Sequence, residues 1–473
     1  MQRSHSLTEG PITRTLLQFA APILGMSVLQ YLGGTVNAFW VGRYLGEAAL
    51  TAIANAQSIF TLLAVAGFGI AMAATILVGQ CMGARRIIDA KRVVGSGAIV
   101  LLTLSVTLSI AGILLTEPML LAIKTTKESL PLAVSYTKVM FVGLPILFLY
   151  TYVISIVLGT GDSKTLLWSI VLAVGLGGAL APLLMFGGAS WPGIGIAGSA
   201  LATLVAQAVS LAALVRHLYR VRNPLCFYTN DLSLLRVDWT IVGTLVRKGV
   251  PVGAQSLVVS LSAVVMIGLV NRFGVDTTAA YGASLQLWTY IQLPALAISV
   301  AVSSMIAQSL GAQDWDRARK AAQVAVVCCA LATGAAVLLV YVADDYAYRL
   351  FLPDGSPALS IASELNRVVM WSFVLVTIAV VLFSVMRAAG VVFAPLLIHC
   401  LSLFAVRYPL ALLLMDRWQA DAIWWSLSIS SAVDFLMAAL YYRYGGWQIS
   451  GRAEIDGALS TLTSEGLRAR SVE

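Results

Sequence analysis

Charge is what this chain has least of. Only 11% of its 473 residues are Asp, Glu, Lys or Arg, against about 25% in a soluble domain, too few to cover a water-facing surface. Cysteines are few and odd in number: Cys81, Cys226, Cys328, Cys329 and Cys400 lie mostly inside apolar runs, with neither a disulfide framework nor zinc spacing. Histidine occurs three times, and His217 and His399 pair with no other ligand at metal spacing. The sequence therefore predicts no metal site and no cofactor. An intramembrane enzyme would need a nucleophile and base, or paired carboxylates, within hydrogen-bond reach. With Asp434 the one clear mid-span acid, no catalytic residue and no enzyme is expected. The start, "MQRSHSLTEGPITRTLL", lacks a short apolar core ending in a small-residue cleavage site, so no removable signal peptide is expected.

What the chain has is hydrophobic length. Apolar residues make up 59% of it, in runs of about 20 that match a hydrocarbon slab roughly 30 Å thick. The alternating ten-residue segments of an outer-membrane barrel are missing. The expected fold class is all-α: a polytopic membrane protein with twelve transmembrane helices. The spans fall near 14–42, 48–80, 92–116, 132–159, 164–187, 193–218, 239–273, 277–309, 317–343, 358–387, 392–416 and 420–443.

An even count places both termini on one side, and the basic residues say which. Arg85, Arg86, Lys91 and Arg92 follow span two; Arg216, Arg220, Arg222, Arg236, Arg247 and Lys248 flank the join of spans six and seven; Arg317, Arg319 and Lys320 follow span eight; Arg443, Arg452, Arg468 and Arg470 follow span twelve. Positive charge collects on the cytoplasmic face, so both termini are expected in the cytoplasm and the protein in the cell (inner) membrane. Topology then explains the net charge of +8 without a nucleic-acid partner.

The polar interruption at 219–238 divides an N-terminal lobe, 1–218 with spans one to six, from a C-terminal lobe, 239–445 with spans seven to twelve. The residues at 446–473 read as a mobile, polar cytoplasmic tail.

The halves repeat each other. "VGQCMGARRIIDAKR" from Val78 answers "IAQSLGAQDWDRARK" from Ile306, about 228 residues on. "APILGMSVLQ" answers "VPVGAQSLVV", matching Pro22 to Pro251, and "RYLGEAALTA" answers "NRFGVDTTAA", matching Gly46 to Gly274. Six spans per repeat make both copies enter from the same face, which predicts two lobes related by a pseudo-two-fold axis along the membrane normal. Two lobes rocking about a cleft suit alternating access; a channel would more naturally surround a pore with identical subunits.

The same stretches carry a family resemblance. "VNAFWVGRYLG", "VGQCMGARR", "GTGDSKT", "GIGIAGSALAT", "VMRAAGVVFAPLL" and "VRYPLALLL" resemble the multidrug and toxic compound extrusion (MATE) family over about residues 14–445. The resemblance implies a V-shaped exporter of organic compounds driven by a proton or sodium ion gradient. Span seven lacks a glutamate, which makes the chain more similar to the DinF-like branch. In that branch an aspartate usually stands where this chain has Asn37. A second precedes the span-five proline, where this chain has Ala181 before Pro182, and Gly177 replaces the usual asparagine. The acidic site of the first lobe is stripped. An amide cannot titrate, so a proton carrier would have to lie elsewhere.

Candidate substrate-facing residues follow from spacing. Gln30 and Asn37 are two helical turns apart and share one face; interhelical glue is the competing role for such amides. In span eight, "YGASLQLWTYIQLP" supplies Gln286 and Tyr290, four apart, and Trp288 with Gln292. Aromatic rings beside amides suit a pocket for flat organic molecules, and an interfacial aromatic belt is the alternative. Two charges inside spans, Arg407 and Asp434, are the ion-coupling candidates, because intramembrane charge is costly. Counted from a turn near Gln419 their heights differ by roughly 5 Å, so an ion pair is within reach. Asp434 is a proton carrier only if that pair does not form.

The resulting expectation is a secondary active transporter, monomeric, whose partners are a small organic substrate and the lipid bilayer. A flippase for lipid-linked precursors, from the same superfamily, is the alternative.

Overall fold

The computed structural model describes residues 7–188, 191–229, 231, 234, 237–449, 451–452 and 457. Ten helices are long and apolar enough to cross a membrane on their own, and two bent pairs bring the number of spans to twelve. All of the predicted spans are present.

The first six are α1 (Ile12–Leu45), α2 (Glu47–Gly83), α3 (Ile87–Ala122), the pair α4 (Leu130–Val142) and α5 (Leu144–Thr160), α6 (Ser163–Phe186) and α7 (Ile196–Arg220). The second six are α8 (Trp239–Val270), α9 (Val275–Gly311), α10 (Trp315–Val342), the pair α12 (Pro357–Val369) and α13 (Ser372–Ala388), α14 (Phe393–Cys400) running through a π-helical turn (Leu401–Arg407) into α15 (Tyr408–Trp418), and α16 (Ala420–Tyr444). A one-and-a-half-turn helix, α11 (Asp344–Arg349), precedes the second pair. A two-rung antiparallel hairpin, Gly187–Gly188 with Trp191–Pro192, joins α6 to α7.

The duplication is legible in the backbone. The bent pairs turn by 53° and 52°, and α2 and α9 each have 37 residues. Left-handed backbone recurs at the repeat offset: Gly46 with Gly274, Arg85 with Gln313, and Gly161 with Gly390. Only glycine adopts that conformation at little cost, so Gly161 and Gly390 let the chain reverse directly after each bent pair.

The chain forms two compact units. One runs from Gly25 to Gly253; the other joins Leu7–Leu24 to the chain from Ala254 onward. Small residues permit the closest approaches in the first unit. A Cβ on Gly69 of α2 would overlap the carbonyl of Gly249, and one on Gly112 would overlap the Phe141 ring. Small residues are the usual basis of tight helix contacts in bilayers, where lipid removes the hydrophobic drive between helices. At the polar join, Lys91 donates to Asp231 at 2.6 Å, and this hydrogen bond holds the Asp231 carboxyl below the usual carboxylate range.

In the second unit Arg317 of α10 donates to the backbone oxygens of Leu7, Glu9 and Gly10. The tail differs from expectation at its start. Trp447 is 2% exposed, donates its indole N–H to the Tyr442 carbonyl at 2.7 Å, and stacks on the Tyr442 ring. An indole is too apolar to stay in water beside such a surface. Most of the remainder of 446–473 lies outside the described residues.

Candidate functional site

In the first unit the site builds on α1, α6 and α7. The α1 and α6 backbones come close because both carry glycines: a Cβ on Gly33 would meet Val174 at 3.1 Å, and one on Gly178 would meet Val36 at 3.7 Å. Asn37 follows Val36. Its Oδ1 accepts a hydrogen bond from Ser199 Oγ of α7 at 2.6 Å, and the amide is half-buried. Gln30 is exposed and Ala181 buried. The polar group at this junction is thus an uncharged amide and hydroxyl. Ser199 was invisible to the spacing argument because it lies 162 residues away.

In the second unit α9 divides its candidates between two faces. Trp288 is 5% exposed and Tyr281 4%. Their rings meet edge to face at 5.8 Å, Tyr281 stacks on Trp424 of α16, and Trp288 packs on Phe373 of α13. The Trp288 indole nitrogen is buried with no hydrogen-bond partner among the described residues. Gln286 and Tyr290 are exposed on another face of the helix. Helical geometry accounts for the split, since residues two apart point about 200° away from each other. Gln292 bonds back to the Trp288 carbonyl.

The two intramembrane charges do not bond to each other. Arg407 Nε donates to Ser430 Oγ at 2.8 Å, and Asp434 Oδ1 lies 2.9 Å from His399 Nδ1. The guanidinium and carboxylate still act on one another electrostatically. The local cause is the π-helical turn. Pro409 has no N–H to give the Ala405 carbonyl and its ring crowds that group, and a π turn relieves both defects by widening the helix. A wider turn rises less per residue, which brings His399 closer to the height of Asp434. With ideal α geometry the two would differ by about 7 Å, against roughly 5 Å for Arg407 and Asp434.

Below and above this junction, side chains tie α14, α15 and α16 together. Ser402 Oγ donates to the Ser430 carbonyl at 2.7 Å. Further inward, Arg387 of α13 donates to Gln255 at 3.1 Å and to Ser384 at 2.7 Å, and Ser384 bonds Ser299 at 2.7 Å. Among the described residues Arg387 has no carboxylate partner, and its Nε is buried and unpartnered. At the α15–α16 turn a cavity of about 480 Å³ is lined by Arg417, Trp418, Gln419, Asp421 and Trp425. No cluster of three or more metal-ligating side chains occurs among the described residues.

A duplicated chain of six plus six apolar spans, with polar side chains set between the helices of each unit, defines a polytopic membrane transporter. The MatE family model matches residues 22–183 and 251–413, and the chain belongs to that family. It is 32% identical over 435 residues to the probable multidrug resistance protein YoeA of Bacillus subtilis, covering 92% of this chain and 94% of that one. It is 26% identical over 327 residues to a FAD transporter of Shewanella oneidensis, covering 68% and 70%. Among solved structures, a MOP superfamily transporter from Pyrococcus furiosus superposes with a TM-score of 0.86 at 18% identity, covering 95% of this chain and 99% of that one.

Proposed function

We propose that this protein is a secondary antiporter that exports a small organic compound of neutral or weakly amphipathic character. It works as a monomer in the cell (inner) membrane with both termini in the cytoplasm. The observation that carries this reading is the Asn37–Ser199 contact. A carboxylate at that junction would attract cations; an amide bonded to a hydroxyl has no net charge to offer them. Family membership supports the transport class, and the multidrug relative supports an organic cargo. A proton or sodium gradient drives the exchange, and its carrier lies outside the stripped first-lobe site.

The test is transport in proteoliposomes under an imposed pH or sodium gradient, comparing the dication DAPI with a zwitterionic quinolone. The quinolone is expected to accumulate and DAPI to do so at least tenfold less. Saturable export of DAPI that is unchanged by Asp434→Asn contradicts the reading.

Arg387 favours a second reading, an organic pyrophosphate cargo such as a lipid-linked precursor. It is a half-buried cation with a buried Nε and no carboxylate partner among the described residues, and the relative named as a FAD transporter supports the same chemistry. Accumulation of FAD in preference to the quinolone would select it.

A further inference from the structure

We propose that the His399–Asp434 couple is the site at which this transporter takes up and releases its coupling proton. The inference rests on the antiport reading above and adds to it the residues that hold the proton.

Asp434 is the only acidic side chain buried among the described residues. A lone carboxylate at that depth is costly, and its neighbours determine what it does. Its direct partner is an imidazole, the side chain whose ordinary titration spans pH 5–8. With Asp434 ionised, His399 carries its hydrogen on Nδ1 and donates it to Oδ1 across 2.9 Å. Nε2 is then left with a free lone pair, and a proton arriving there makes an imidazolium–carboxylate pair. No other bond is made or broken. Side-chain exposures of 14% for His399 and 9% for Asp434 make the ring the more accessible of the two.

The surroundings fix the charge states. From the π-helical turn, Arg407 acts on Asp434 while bonding Ser430 one turn away on the same helix. With neutral imidazole the three groups sum to zero charge, and protonation makes them +1. From α13, Phe383 presents its ring edge-on to the imidazole at 4.8 Å, and Arg387 is engaged by Gln255 and Ser384. Glu364 and Arg367 of α12 are exposed, as are Asp416 and Arg417 of α15. From α10, Cys329 donates to the Thr377 carbonyl; Cys400 adjoins His399 on α14; Tyr441, Tyr442 and Arg443 of α16 lie about two turns from Asp434. Among the described residues no second carboxylate bonds the couple, so one proton changes its charge state. The uncharged first-lobe junction makes this the buried carboxylate left to serve.

Two measurements on the full-length protein test the proposal. In lipid nanodiscs, NMR of ring-labelled histidine, with His399 assigned from His399→Gln, is expected to report proton uptake and release at that ring as pH is changed, and Asp434→Asn to alter that response. In proteoliposomes carrying the zwitterionic quinolone or FAD, His399→Gln and Asp434→Asn should each lower pH-gradient-driven accumulation at least tenfold. A monodisperse size-exclusion profile and a melting temperature close to wild type for both variants separate lost coupling from lost folding. An untitrating His399, or gradient-driven accumulation that survives both substitutions, overturns the proposal. Wild-type transport driven by sodium and indifferent to pH overturns the proton site and leaves the antiporter standing. No wild-type flux of either probe under either gradient overturns the antiporter reading and this one with it.

Discussion

Asn37 shows how little a residue's identity says without its partner. As an amide in a hydrophobic helix it could be interhelical glue or a cargo contact, and the bond from Ser199 makes the first role tangible. Membrane hydrogen bonds of this kind contribute about 0.6 kcal/mol on average. A double-mutant cycle of Asn37→Ala and Ser199→Ala, read by chemical unfolding in mixed micelles, is expected to return a coupling near that value. A coupling of zero would detach the two side chains. His399 is the opposite case. Sequence spacing sets it aside because no other metal ligand stands at a useful distance. What it missed is a carboxylate 35 residues away, reached through a turn whose geometry ideal helix spacing does not describe.

At the scale of elements, the twelve spans were legible because apolar length is written directly into composition, and each predicted span has its helix. Their internal breaks were less so. The bends of 53° and 52° between α4 and α5 and between α12 and α13 fall at Gly143 and Pro145 and just after the polar Glu364, Asn366 and Arg367, signals that mark neither a bend nor its angle. The π-helical turn had a local signal in Pro409, but proline alone does not say whether a helix kinks, ends or widens.

The join between the halves offers a pH test. Lys91 lowers the pKa of Asp231 from its ordinary 3.8, so the folded state favours the ionised carboxyl. The stabilisation is fully present above that ordinary value and is lost as pH falls through the lower, folded one. The melting-temperature difference between wild type and Lys91→Ala is therefore expected to be constant above about pH 5 and to shrink below 4. A difference that grows on acidification would contradict the contact. Exposure keeps its size small.

For the whole molecule, the duplicated sequence foretold duplicated structure, and the matching left-handed positions at Gly46 and Gly274, Arg85 and Gln313, and Gly161 and Gly390 bear this out. Orientation in the membrane is the expectation with the widest reach, because it decides which loops face the cytoplasm. Single cysteines placed at Arg85 and at Gln419 in a cysteine-free background should be labelled by an impermeant maleimide from opposite sides, with Gln419 labelled in intact cells. The reverse pattern would invert the export direction.

By itself the sequence determined the solvent, the number of spans and the repeat. Each follows from composition or from comparing the chain with itself, and needs no knowledge of which side chains meet. Tertiary structure alone decided who bonds whom: Asn37 to Ser199, Asp434 to His399, Arg407 to Ser430, and Trp288 turned into an aromatic core. A hydrogen bond depends on ångström-scale position, and in a helix a single widened turn moves every later residue around the axis and along it.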